Sequence, residues 1–155
     1  MRSLVRYVGV TAVTAGLVWA IVFFGERPLL NQVVVPRSGT RLPFWIADFM
    51  SAAAFGVWVS VAGSFFWFLF ARWISGVVDW RSSGKRSIWA VLGVLTVAVC
   101  TVYGFYYVPI AESGGAIAYT LFLVNSSLIY YLSTTLASPP SYKYTPYGAR
   151  TLRIF

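Results

Sequence analysis

Four long runs of apolar residues, 4–25, 44–73, 88–111 and 115–137, alternate with short stretches that hold nearly all the charge and proline. A helix rises 1.5 Å per residue, so about 20 apolar residues cross the ~30 Å hydrocarbon core of a bilayer. Each run reaches that length. The pattern predicts an all-α integral membrane protein, a four-transmembrane-helix bundle occupying residues 1–137 as one domain, followed by a short tail over 138–155.

The connections refine this picture. Arg2 and Arg6 precede the first run, which is longer than the apolar part of a secretory signal. It reads as a retained signal-anchor helix that ends near Phe24. Pro28, Pro36 and Pro43 then break the chain, and 37–41 is turn-like, so 26–43 reads as a loop that lies on the membrane surface or packs on a partner or on the bundle. This puts Glu26 outside the first helix. The second run, at about 45 Å, must tilt or extend past the bilayer. Residues 80–87 form a polar linker. Gly114 and Gly115 close a tight hairpin that makes the third and fourth helices antiparallel neighbours. Pro139 and Pro140 end the fourth helix.

Composition confirms the class. Hydrophobic residues make up 59% of the chain and charged residues 10%, where soluble domains carry about 25% charge. The net charge of +8 is read as membrane-flanking charge and not as a nucleic-acid surface, because no basic cluster is interleaved with aromatics on a soluble face. With both termini in the cytoplasm, Arg2, Arg6, Arg72, Arg81, Lys85, Arg86, Lys143, Arg150 and Arg153 lie inside, and Arg27, Arg37 and Arg41 outside. That bias favours N-in/C-in and argues against a dual-topology exporter, and the small size and compactness of the chain suggest a cell membrane of bacterial inner-membrane type. Trp45 and 103–107 are expected at the outer interface, and Trp73, Trp80 and Trp89 at the inner one.

Little chemistry is on offer. Histidine is absent and Cys100 is the single cysteine. These exclude a haem or zinc site of ordinary type, a CxxC redox pair and a histidine-activated serine. Neither a metal nor another cofactor is expected, and no enzymatic activity. The first helix, ending before Glu26, lacks the glutamate that small multidrug exporters carry there. Asp48 is the nearest thing to an intramembrane carboxylate, read as a polar contact with Arg41 or Arg37, or as a substrate contact near an outer vestibule. Asn125 at the middle of the fourth helix needs a hydrogen-bond partner on another helix.

Ala52, Gly56, Ser60 and Ser64 recur every four residues, with Gly63 beside the last. Small residues at that spacing let helix backbones approach closely. Gly9, Ala12, Gly16 and Ala20 make a similar stripe on the first helix, and the two stripes are candidates to face each other. The tail alternates proline with Tyr142, Tyr144 and Tyr147, a pattern suited to an extended segment docking on a partner.

Three roles fit these features. The first is a non-catalytic subunit of a larger membrane complex of secretion, conjugation or energy-transducing type. The second is a small oligomeric transporter or lipid-handling, flippase-like protein. The third is a membrane immunity or exclusion protein. The expected partners are the lipid bilayer and other membrane subunits, or further copies of this chain.

Overall fold

The computed structural model of the chain describes residues 2–74 and 82–137. Four helices within it are long and apolar enough to cross a membrane: Leu4–Val33, Leu42–Arg72, Gly84–Tyr107 and Gly115–Ala137. The predicted tail, with Tyr142, Tyr144 and Tyr147, lies outside the described residues.

The first span departs most from expectation. It does not stop near Phe24. Helix α1 (Arg2–Ile21) runs through a π turn (Val22–Glu26) straight into α2 (Arg27–Val33). Pro28 is accommodated because it falls in the first turn of α2, where its missing N–H is not needed. The wider π turn, closed by the Arg27 N–H donating to the Val22 carbonyl, carries the chain into that position. Proline here resets a helix instead of ending one, and 27–33 is helical where a loop was expected.

Strand β1 (Val35–Pro36) follows and pairs antiparallel with β2 (Ala111–Ser113), with an irregularity between Val35 and Pro36. The link between the first and second spans is therefore tied to the link between the third and fourth. The Ser38 N–H donates to Glu112 Oε1 at 3.3 Å across the same ribbon. Gly114 makes the join possible. Its φ is +76°, and a Cβ there would stand 2.7 Å from the Val33 carbonyl oxygen.

Helix α3 (Leu42–Leu69) starts with Pro43 in its first turn and ends in a second π turn (Phe70–Ile74). Helix α4 (Ser82–Tyr107) begins earlier than the apolar run, so Gly84, Lys85 and Arg86 are helical and the expected linker is shorter. It also stops at Tyr107, leaving 108–110 and β2 as the hairpin. Helix α5 (Gly115–Ala137) has the bounds expected of the fourth run.

The core sits among α3, α4 and α5, with α1 lying mainly on α5. Trp45, Phe49, Ala52, Phe122, Ile129 and Cys100 fill it. Trp45 is 1% exposed and donates its indole N–H to the Pro109 carbonyl at 2.6 Å. Its ring is turned into the bundle, where it serves that carbonyl just past the end of α4. At the far end Trp89 donates to Thr134 Oγ1 at 3.0 Å, and Tyr130 Oη donates to the Trp89 carbonyl at 2.7 Å.

Close backbone approach defines the α3–α4 contact. A Cβ on Gly63 would collide with the Thr96 side chain, a short branched group that cannot swing away. Gly63→Ala is expected to destabilise the purified protein by ~1–3 kcal/mol. Gly16→Ala, where a Cβ meets nothing within 4 Å, should stay within ~0.5 kcal/mol. Unfolding in mixed micelles, followed by circular dichroism, checks both.

Candidate functional site

The polar focus of the bundle pairs a residue expected from sequence with one that was not. Asn125 Nδ2 donates to Glu26 Oε1 at 2.8 Å and to Oε2 at 3.0 Å. Glu26 is the last residue of the π turn and is 5% exposed. Its assignment to an outer loop is corrected: the carboxyl belongs to the first span and points at α5. The helix continues past Phe24, and the buried positions Val18, Val22, Glu26 and Leu30 form one stripe. The statement that the first helix lacks a glutamate falls with it.

Asn125 lies ten residues into α5, near its middle, where hydrocarbon offers it no hydrogen bonds. An ionised carboxyl at this depth costs several kcal/mol unless it is paired. Arg27 follows directly in sequence, but its guanidinium stacks 5.2 Å over the Phe23 ring. Asn125 is the one hydrogen-bond partner of Glu26 among the described residues.

Asp48 is exposed on α3, and Arg41 is exposed at its N-terminus. No ion pair joins them among the described residues, so the expected Asp48–Arg41 contact is not formed. Asp48 is on the outward side because Trp45, Ile46 and Phe49 take the core-facing positions of that turn.

Ala52, Gly56, Ser60 and Ser64 are all buried. Gly56 lies against the Phe122 ring, where a Cβ would come within 3.2 Å. Ser60 Oγ donates to the Gly56 carbonyl and lies 3.8 Å from Cys100 Sγ. Ser64 Oγ is 3.0 Å from Tyr7 Oη. This stripe therefore meets α4, α5 and the start of α1. It does not meet the glycines of α1: Gly9 and Gly16 are exposed, and a Cβ on either would have open space. The two small stripes do not face each other, because α1 leans on α5.

That arrangement leaves a groove of about 510 Å³ between α1 and α3, almost wholly apolar and lined by Ala12, Gly16, Trp19, Ala54, Trp58 and Val61 among others. A second, of about 730 Å³, opens between α4 and α5 around Gly93, Ala98, Thr101, Ser127 and Tyr131. Among the described residues no three His, Cys, Asp or Glu side chains gather around a common point for a metal ion. Comparison with protein-family models, with curated proteins and with solved structures finds no match to the chain.

The pair has a stability signature. Asn125→Leu removes the one donor that the described residues give a buried carboxyl and should cost ~2 kcal/mol. Glu26→Gln, which keeps an acceptor for Asn125, should cost less than ~1 kcal/mol. Adding Glu26→Leu to Asn125→Leu should recover much of the loss, since two apolar partners leave nothing unsatisfied. A double-mutant cycle in mixed micelles measures the coupling.

Proposed function

We propose that this chain is a non-catalytic membrane subunit that works by packing against the helices of other proteins in a larger assembly. The secretion, conjugation and energy-transducing types remain the classes it suits. The supporting observation is the face of α1 that carries Gly9, Ala12 and Gly16, which the described residues leave uncovered beside the groove with α3. Lipid tails are as apolar as leucine, so membrane helices associate through close backbone packing, and small residues allow it. Here such a surface is built and left vacant by the described residues. Trp58, 72% exposed on the groove's α3 side, offers a large flat ring to an incoming helix. The nine-to-three division of Lys and Arg supports a placement with both termini in the cytoplasm.

A second reading, a small oligomeric carrier, gains one specific observation. A buried carboxyl within a membrane span marks a functional site by default, and Glu26 is such a group. The contacts in that reading would be Glu26 and Asn125, with Asp48 exposed elsewhere on the surface.

Purification from the native host in mild detergent, with native mass and mass spectrometry, tests the first reading. Another membrane protein should co-elute in fixed ratio. Gly16→Leu, which projects into the groove, should abolish that co-elution while the isolated chain keeps its helicity and unfolding midpoint. A homo-oligomer with no other chain attached would sink the subunit reading.

A further inference from the structure

We propose that Glu26 and Asn125 form an intramembrane proton-binding site, in which the carboxyl takes up a proton and the amide switches from donor to acceptor. This goes beyond the packing role and does not depend on it.

The geometry is the starting point. One amide nitrogen straddles both carboxyl oxygens, at 2.8 and 3.0 Å. An ionised carboxylate has about four lone-pair sites to satisfy, and here a single neutral group serves both oxygens. The elements packed against the π turn supply no compensating cation at hydrogen-bonding distance. Their charged and titratable groups are Arg2, Arg6 and Tyr7 at the opposite end of α1, Arg27 of α2, Asp48 of α3, and Tyr119, Tyr130 and Tyr131 of α5. Tyr7 Oη is engaged with Ser64, Tyr119 Oη with the Val108 carbonyl, Tyr130 Oη with the Trp89 carbonyl, and the Arg27 guanidinium with Phe23. A proton on the carboxyl would balance the charge that the described residues leave unmatched at Glu26.

Asn125 suits both states. Its Nδ2 donates to the carboxylate. When the carboxyl is protonated, the new O–H donates to Oδ1 after the amide turns over. The proton comes from water, forms one O–H bond on a Glu26 oxygen, and returns to water on release. No other bond is made or broken. Glu26 lies about two helical turns (~10 Å) from Val33 at the ribbon end, so the ribbon end is the shorter route to water. A small cavity of about 10 Å³ abuts Asn125 and Ser126, between Val22, Gly56 and Phe122. That is close to the least space that holds one water, with two polar partners at hand.

The test is infrared spectroscopy of the full chain in lipid vesicles across a pH series. The chain has only two glutamates, Glu26 and Glu112. Carboxyl-13C glutamate in the Glu112→Gln protein therefore leaves Glu26 as the single labelled side-chain carboxyl. The expected result is an isotope-shifted acid carbonyl band that grows reversibly as pH falls. It should be lost in Glu26→Gln, and in Asn125→Leu it should move to higher frequency as the acid loses its partner. The proposal is overturned if no such band appears while circular dichroism stays native, or if the band is present but never titrates. It is equally overturned if Glu26→Gln leaves the band in place. Should Glu26→Gln fail to fold, the labelled Glu112→Gln protein still decides the matter with Glu26 intact.

Discussion

Hydrocarbon offers no hydrogen bonds, so each polar group inside the four spans needs a partner from the protein itself. The chain meets this demand for most of them in two ways, while the buried Ser133 and Thr135 hydroxyls find no partner among the described residues. Hydroxyls turn back on their own helix: Thr14 to the Val10 carbonyl, Ser60 to Gly56, Thr96 to Leu92, Ser126 to Phe122 and Thr134 to Tyr130. Such bonds satisfy a group and leave the helices free to slide. Larger polar groups cannot do this, and they reach across. Glu26 is bound by Asn125, Trp45 reaches Pro109, Tyr130 reaches Trp89, and an Arg6 guanidinium nitrogen donates to the Leu136 carbonyl at 2.8 Å. These few bonds fix the register of the spans, one at the ribbon end, two toward the opposite end and one at the middle of α5.

Between those ties the bundle is uneven. The α3, α4 and α5 helices approach until glycines touch side chains, as Gly63 does at Thr96 and Gly93 at Tyr130. Contact this close maximises dispersion between helices that lipid does nothing to push together. Helix α1 is held differently, by its polar ties and by a stripe of buried residues against α5. Its glycines stay open to whatever lies outside the chain.

The sequence was informative about length and composition and poor about direction. Four apolar runs were legible because each has about the length that a bilayer demands. The buried face of α3 was legible too, since small residues every four positions have few other uses. The same pattern in α1 misled. Spacing shows which residues share a face, but not which neighbour that face meets, and α1 turns its glycines outward. Glu26 was misplaced for a local reason. Pro28 two residues later looked like the end of a helix, and a π turn is not written in residue types. The signal that would have found Glu26 was its place four residues after Val22 and four before Leu30, a stripe that runs on through the proline. Asn125 was correctly seen to need a partner, yet sequence could not say that the partner was a carboxyl.

That stripe has a further consequence. Buried residues at 18, 22, 26, 30 and 34 recur every four positions, and in a regular helix each such step overshoots a full turn by about 40°. Left uncorrected, the stripe would wind away from α5 well before the ribbon. The π turn absorbs the surplus and keeps both halves of the first span in phase. Deleting any one residue between Val22 and Glu26 would change almost nothing in composition or hydropathy. A regular helix would then run through with both halves still in phase, because a π turn carries one residue more than the α-helix it interrupts. What this segment adds is a single residue, and a chain without it would keep the buried face of the first span.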